Sequence, residues 1–361
     1  MRSMPFICAA LLCLGPLSAK AQIRTYEVPF PAPLRSPVDT VRLFIIGDVM
    51  MHMPQLKHDH TLFFEDIAPE MREADIAIAN MEFSLGGEPY SGYPAFSAPD
   101  YIAPYMAACG TDVFLTANNH ILDRGSKGLE RTLGIYRSMA DSVKFTGSAG
   151  SYEENLRLNP LMLRFHGISI ALVNFTYDTN GITVRGWPNT NYQVRDSVKA
   201  AIGRAKAQEA DFIIALPHWG EEYMLTHSKS QQEWAEWMAA EGVDAIIGGH
   251  PHVVQDTSHI GGVPVVYSLG NAVSNMSRTN TRLELAVRLT LLKDASTGET
   301  RVLEPELLPM WCTLPGRLVN GYKTIFIKKW ASRRSDWLIP SDYDEMAATL
   351  ERVSAATGIT F

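Results

Sequence analysis

The sequence predicts an α/β protein with mixed sheets, and three observations carry that expectation. Short apolar runs, many of them β-branched, stop at polar residues. Longer segments with helical spacing of apolar residues separate them, as expected of strands and helices packed in layers. Two of the runs, 161–165 and 168–174, are joined only by His166-Gly167, which reads as a hairpin and adds antiparallel pairing to a largely parallel pattern.

Taken in order, residues 1–21 read as a secretory signal peptide. Arg2 supplies a positive start, residues 6–14 are apolar, Gly15-Pro16 breaks the run, and Ala19-Lys20-Ala21 has the small-x-small form of a cleavage site. That run is too short to span a bilayer, and no later segment reaches the ~18 apolar residues a span requires. The expectation is therefore an exported protein, periplasmic or extracellular, with no membrane span in the mature chain. A lipid anchor on Cys13 is the secondary reading, because Leu12 stands where a small residue is wanted. Residues 22–40 contain Pro29, Pro31, Pro33 and Pro37 and no regular period, so they form an extended lead-in. The main domain is expected over 41–310, with a C-terminal extension over 311–361.

Within the domain, strands are expected at 41–47, 76–80, 113–116, 161–165, 168–174, 212–216, 245–247 and 263–267. Helical spacing covers 62–73, 98–108, 127–140, 194–208 and 231–241, and a terminal helix is expected at 343–356, capped by Ser341. With 361 residues, 46% hydrophobic and 20% charged, the chain is long and apolar enough for a large core and is not disordered. Its net charge of −7 becomes two units more negative when Arg2 and Lys20 leave, and no run of five or more like charges exists; a nucleic-acid partner is not expected on that ground. After removal of Cys8 and Cys13, Cys109 and Cys312 remain, either as a bridge or as two buried small hydrophobes.

Candidate chemistry stands where the strands end, the edge at which an α/β sheet binds ligands. Five such ends carry metal-ligating residue types: Gly47-Asp48, Asn80-Met81-Glu82, Asn118-Asn119-His120, Pro217-His218-Trp219-Gly220 and Gly249-His250-Pro251-His252. Each alone has an ordinary reading. Asp48 can cap the next segment, Glu82 can be solvated, Asn119-His120 with Asp123 can be a turn, and His218 can be a satisfied core histidine. The pair His250 and His252 is the sharpest signal, since two imidazoles two apart in an extended turn face one metal or two neighbours. The set carries the functional reading rather than any member. Glu222 and Tyr223 follow His218 closely, either to contact substrate or as a polar rim, and Trp219 reads as packing.

These motifs, together with Gly47-Asp48-Val49-Met50, Asn118-Asn119-His120-Ile121-Leu122-Asp123-Arg124-Gly125, His218-Trp219-Gly220-Glu221-Glu222-Tyr223 and Tyr267-Ser268-Leu269-Gly270-Asn271, resemble in order those of the CapA family over about 41–308. That family is associated with poly-γ-glutamate capsule synthesis and belongs to the calcineurin-like metallophosphatase superfamily. The resemblance implies a four-layer α/β/β/α sandwich and a two-metal site. It places Asp48 and His252 on one metal, Glu82 as the bridge, and Asn119, His218 and His250 on the second. His120 becomes the general acid or transition-state stabiliser, oriented by Asp123. Oxygen and imidazole donors without thiolate suit Mn, Fe or Zn. Met50 occupies the place of a superfamily histidine and Asn80-x-Glu82 replaces a Gly-Asp-x-x-Asp motif. His52 supplies the missing imidazole if its loop folds back, and is otherwise a surface histidine like His58 and His60. The expected activity is hydrolysis of a phosphoester, or of an amide or ester, in an envelope or capsule polymer. The alternative is a non-catalytic scaffold or binding protein of polymer assembly.

Overall fold

The computed structural model describes residues 38–361; the expected signal peptide and the lead-in as far as residue 37 lie outside the described residues. The first half of the chain alternates β1 (Val38–Val49), α1 (Ala68–Glu73), β2 (Ile76–Met81), α2 (Ile102–Cys109), β3 (Val113–Leu115), α3 (Gly125–Ser138) and β4 (Lys144–Thr146). After the short β5 (Ser148–Ala149) and α4 (Tyr152–Leu158) come β6 (Leu161–Phe165), β7 (Ile168–Thr176), β8 (Asn189–Thr190), α5 (Arg195–Ala207), β9 (Phe212–His218), α6 (Lys229–Ala240), β10 (Ala245–Ile247), β11 (Thr257–Ile260) and β12 (Val263–Val266). The chain then returns through β13 (Asn271–Val273), β14 (Leu283–Asp294), β15 (Thr300–Val302), β16 (Glu306–Thr313) and β17 (Lys323–Phe326) to α7 (Ile327–Trp330) and α8 (Pro340–Thr357).

Two mixed sheets result. The larger runs β17-β16-β14-β1-β2-β3-β4, with β13 beside β1 and β15 beside β14; the second runs β11-β12-β10-β9-β7-β6. Alternating residues of β1 divide between two cores. Leu43 and Ile45 pack with Ile170, Leu172 and Ile214 between the sheets, whereas Phe44 and Ile46 face α1, α2 and α3. On the far side of the second sheet, Val173 and Ile213 pack with Ala201 and Ile202 of α5 and Met238 of α6. The order is helices, sheet, sheet, helices, the four-layer α/β/β/α sandwich. The β6–β7 hairpin forms as expected, its turn made by His166 and Gly167 at φ 47° and 81°, the mirror-image turn that suits strand twist.

Several boundaries move for local reasons. The helix expected over 62–73 starts only at Ala68, because Pro69 fixes the first turn; a 3₁₀ turn, His60–Leu62, precedes it. The terminal helix starts at Pro340, so Ser341 lies inside it and caps nothing. β14 was absent from the expected strands. Its composition of Leu, Glu, Ala and Arg favours helix, yet burial on both faces holds it extended between β1 and β16. Cys109 and Cys312 are both free and buried. Among the described residues no helix is long and apolar enough to cross a membrane.

β14 also buries Glu284 completely, and neither carboxylate oxygen has a hydrogen-bond partner. Burial pushes its carboxyl well above the usual range of about 4.5, against the pull of the Arg282 charge. The folded state thus keeps a proton that the unfolded chain releases, so stability falls as pH climbs above the unfolded value, by up to ~1.4 kcal/mol per pH unit. Glu284→Gln is expected to remove this dependence. Thermal melts should place the variant above the parent at neutral pH, with the difference vanishing near pH 4.

Candidate metal centre

The parallel strands of both sheets end at one edge, and each end presents a polar residue. At the end of β1 the pairing with β2 slips between Ile46 and Asp48, a bulge centred on Gly47. A Cβ on Gly47 would lie 2.0 Å from the Gly270 carbonyl oxygen, so only glycine allows this approach. The bulge aims Asp48 inward, where one carboxylate oxygen accepts from Asn80 Nδ2 (2.7 Å) and the other from the His250 backbone N–H (3.0 Å). Gly249 makes room, since a Cβ there would sit 2.8 Å from Asp48 Oδ1. The Gly-His-Pro-His turn is strained, with His250 at φ 99° and His252 at φ 56°. Non-glycine residues in that region cost about 1–3 kcal/mol each and concentrate at functional sites. Across the sandwich, Asn174 of β7 accepts from the Ala117 N–H (2.9 Å) and donates to the Leu216 carbonyl (2.7 Å), fastening the loop after β3 to the second sheet.

Asp48, Glu82, His218, His250 and His252 converge. Ligand atoms within 4.8 Å of one another come from Glu82, His218 and His250, from Asp48, Glu82 and His252, and from Glu222, His250 and His252. His218 Nε2 is 3.6 Å and His252 Nε2 3.8 Å from Glu82 Oε1. Glu82 is fully buried, yet neither of its oxygens meets a donor, and buried His250 Nδ1 is likewise unpartnered. Burial, then the Asp48 charge, pushes the Glu82 carboxyl well above the usual range. Burial also raises Asp48, against the nearby His252. His218 and His250 are driven well below the ordinary histidine value by burial and then by neighbouring imidazoles. Acids reluctant to ionise beside imidazoles reluctant to protonate form a set that a cation completes, because it stabilises carboxylates and takes neutral imidazole lone pairs. Oxygen and imidazole donors with three orphaned ligand atoms fit divalent metal ions, and the cluster points to metal binding.

Amides surround the donors. His218 Nε2 lies 2.8 Å from Asn119 Oδ1, and Asn80 Nδ2 is 3.2 Å from His218 Nδ1. His252 Nδ1 faces Asn271 Oδ1 at 2.9 Å, and Asn118 Nδ2 donates to Asn80 Oδ1 at 3.1 Å. The roles of Asn80, Asn118 and Asn271 escaped sequence reasoning, although an amide next to a ligand at a strand end is the available signal. His120 Nδ1 donates to Asp123 Oδ2 at 2.7 Å, and that oxygen also accepts from the Phe96 N–H (2.6 Å). Asn180 Nδ2 stands 3.3 Å from the same His120 nitrogen. The loop carrying His52 does fold back, but its Nδ1 faces Gln55 Oε1 (3.1 Å) and the Asn275 N–H (3.3 Å), and it joins none of the converging groups. Burial lowers its ring to about 4. His58 and His60 pack against Tyr322 and against Tyr101 and Tyr105. Trp219 is buried and donates to the Tyr267 carbonyl.

A family model described as "Bacterial capsule synthesis protein PGA_cap" matches residues 42–276. Capsule biosynthesis protein CapA of Bacillus anthracis is 26% identical over 259 residues, covering 68% of this chain and 62% of that protein. PGA biosynthesis protein CapA of Bacillus subtilis (strain 168) is 31% identical over 193 residues, covering 53% of this chain and 49% of that one. The chain therefore spans about half to three-fifths of the length of these curated relatives. A Staphylococcus aureus crystal structure, described as a candidate 5'-nucleotidase in complex with alpha-ketoglutarate, superposes with a TM-score of 0.51 at 16% identity, over 75% of this chain and 54% of that one. That likeness is one of fold, the metallophosphatase sandwich.

Proposed function

The chain belongs to the bacterial capsule synthesis protein family PGA_cap, and from that premise we propose that it is an exported metal-dependent hydrolase of a cell-envelope polymer. Its bond is a phosphoester, or an amide or ester. The observation that carries this reading is the buried Glu82 carboxylate with no donor, set among His218, His250 and His252. A scaffold that holds no metal gains nothing from that cost.

Asp48 and His252 would hold one divalent ion, Asn119, His218 and His250 a second, and Glu82 would lie between them; Mn, Fe or Zn suits these donors. Bound there, such ions supply Lewis-acid polarisation and neutralise charge in a hydrolytic transition state. The chain's own contribution is positional. Asn80 fixes Asp48 and Asn271 fixes His252 through their second atoms, which holds each donor's orientation before substrate arrives. Asp123 accepts the hydrogen bond from His120 Nδ1–H, leaving Nε2 to serve the reacting group, and stabilises the imidazolium when that ring carries charge. His120 is thus the general acid that hands a proton to the leaving oxygen or nitrogen.

Elemental analysis of the purified protein, with phosphomonoesterase and phosphodiesterase assays on wild type and His250→Ala, tests the proposal. About two metals per chain, fewer in the variant, and metal-dependent turnover that the variant loses are expected. Protein that takes up no Mn, Fe or Zn and turns over nothing leaves the scaffold reading in its place.

A further inference from the structure

One cation at the mouth of the site has no anionic partner. Arg278, on the exposed stretch between β13 and β14, holds its guanidinium 4.2 Å above the Tyr223 ring. Among the described residues no carboxylate lies within ion-pair distance of it and its guanidinium makes no hydrogen bond, unlike Arg282, Arg288, Arg131 or Arg137, each paired to an acid. Tyr223 is placed with care. Its backbone sits in the left-handed region at φ 67°, its N–H donates to the Pro251 carbonyl at 2.8 Å, and its ring lies 6.2 Å from that of His252. The aromatic shelf is therefore tied to the Gly-His-Pro-His turn itself.

The loop that carries Arg278 is fixed at both ends. Asn271, which orients His252, donates to the Thr281 carbonyl (3.1 Å), and Arg282 is anchored to Asp342. A guanidinium stacked on an aromatic face keeps its in-plane N–H fork free, and that fork matches a carboxylate or phosphate edge. The nearby acid is Glu222, exposed, and one of its oxygens converges on His250 and His252, so a cation bound by that group compensates its charge.

We infer that Arg278, presented by Tyr223, is the substrate-anion receptor of this site. It takes a non-reacting carboxylate or phosphate of the chain being processed, and so positions the scissile bond over the His250–His252 turn. This rests on the site acting on a polymer, as proposed above, and commits it to a polyanionic one. A protein with net charge −7 attracts no polyanion over its surface as a whole, so a single oriented guanidinium beside the metal-binding turn is where such a chain gains a foothold.

The test is calorimetric binding to the metal-loaded full chain, with a γ-linked glutamate trimer and inorganic tripolyphosphate as separate probes. Arg278→Ala is expected to weaken the trimer about tenfold or more without changing metal content. Arg278→Lys should restore only part of this, because an ammonium lacks the fork. Tyr223→Phe keeps the shelf and should bind like wild type, whereas Tyr223→Leu should behave like Arg278→Ala. Loss confined to tripolyphosphate identifies the anion as phosphate and keeps the receptor. Binding of both probes within twofold across all variants, or binding of neither by wild type, overturns it. Because the readout is binding, a protein that turns over no ester defeats the hydrolase reading and leaves this result intact.

Discussion

Glu82→Gln is expected to lower metal-dependent turnover by about a thousandfold or more while making the metal-free protein more stable. The two effects share one cause. The carboxylate is fully buried, meets no donor, and is held well above its usual range by burial and by Asp48. In the absence of metal, the amide removes the ionisation that burial opposes, about 1.4 kcal/mol for each pH unit between the unfolded and folded titrations. With metal present it removes the donor that two of the three ligand groups share, and the several kcal/mol of transition-state stabilisation that depend on it. Thermal melts with and without added Mn or Zn check both halves. Wild type should gain stability as ligand binding to the native state predicts, about 4 kcal/mol at a thousandfold excess over Kd, and the variant should gain almost none. Equal metal-induced stabilisation in both proteins contradicts the assignment of Glu82 as a shared ligand.

Arg282→Met is expected to cost about 3–5 kcal/mol of stability. Arg282 forms a bidentate pair with Asp342 (2.8 and 2.7 Å), donates to the Cys312 carbonyl (2.9 Å) and covers the Trp311 ring at 4.3 Å. Both members of the pair are almost fully buried, at 5% and 4% exposure. Removing the arginine strands Asp342 without a partner and takes from Glu284 the one charge that opposes its burial. The double variant Arg282→Met with Asp342→Leu should recover most of the loss, since a buried ion pair replaced as a unit by apolar groups is close to neutral. Urea unfolding measures both. A single-variant loss under about 1 kcal/mol denies the pair its anchoring role.

The fold and the site were legible in the sequence to different depths. The alternation of β-branched runs with helical spacing gave the α/β class, and the hairpin at His166-Gly167 gave mixed sheets, because both signals are local. The four layers came from the motif resemblance; a count of strands does not say that Phe44 and Leu43 face different cores. β14 was hidden because its residues prefer helix and only its neighbours make it a strand. At the site, Asp48, Glu82, His218, His250 and His252 stood out because strand ends gather at one edge whatever the loop lengths between them. The amides Asn80, Asn118 and Asn271 did not, since an asparagine at a strand end is common and its partner is fixed only by tertiary approach. His52 illustrates the converse. Spacing brought it near the centre, but Gln55 and Asn275 claim its ring.

The position of β14 has a consequence in time. Val38 to Ile46 of β1 pair with Asp294 back to Ala286, so the first of the described strands lies between β2 and one far later in the chain. Until translation has passed Asp294, the central strand of the larger sheet has an open side, and the nascent chain cannot close its core. Contacts of such long sequence separation fold slowly. Closure of this sheet therefore joins two segments far apart in sequence, and a chain cut before Leu283 leaves β1 with an unpaired edge.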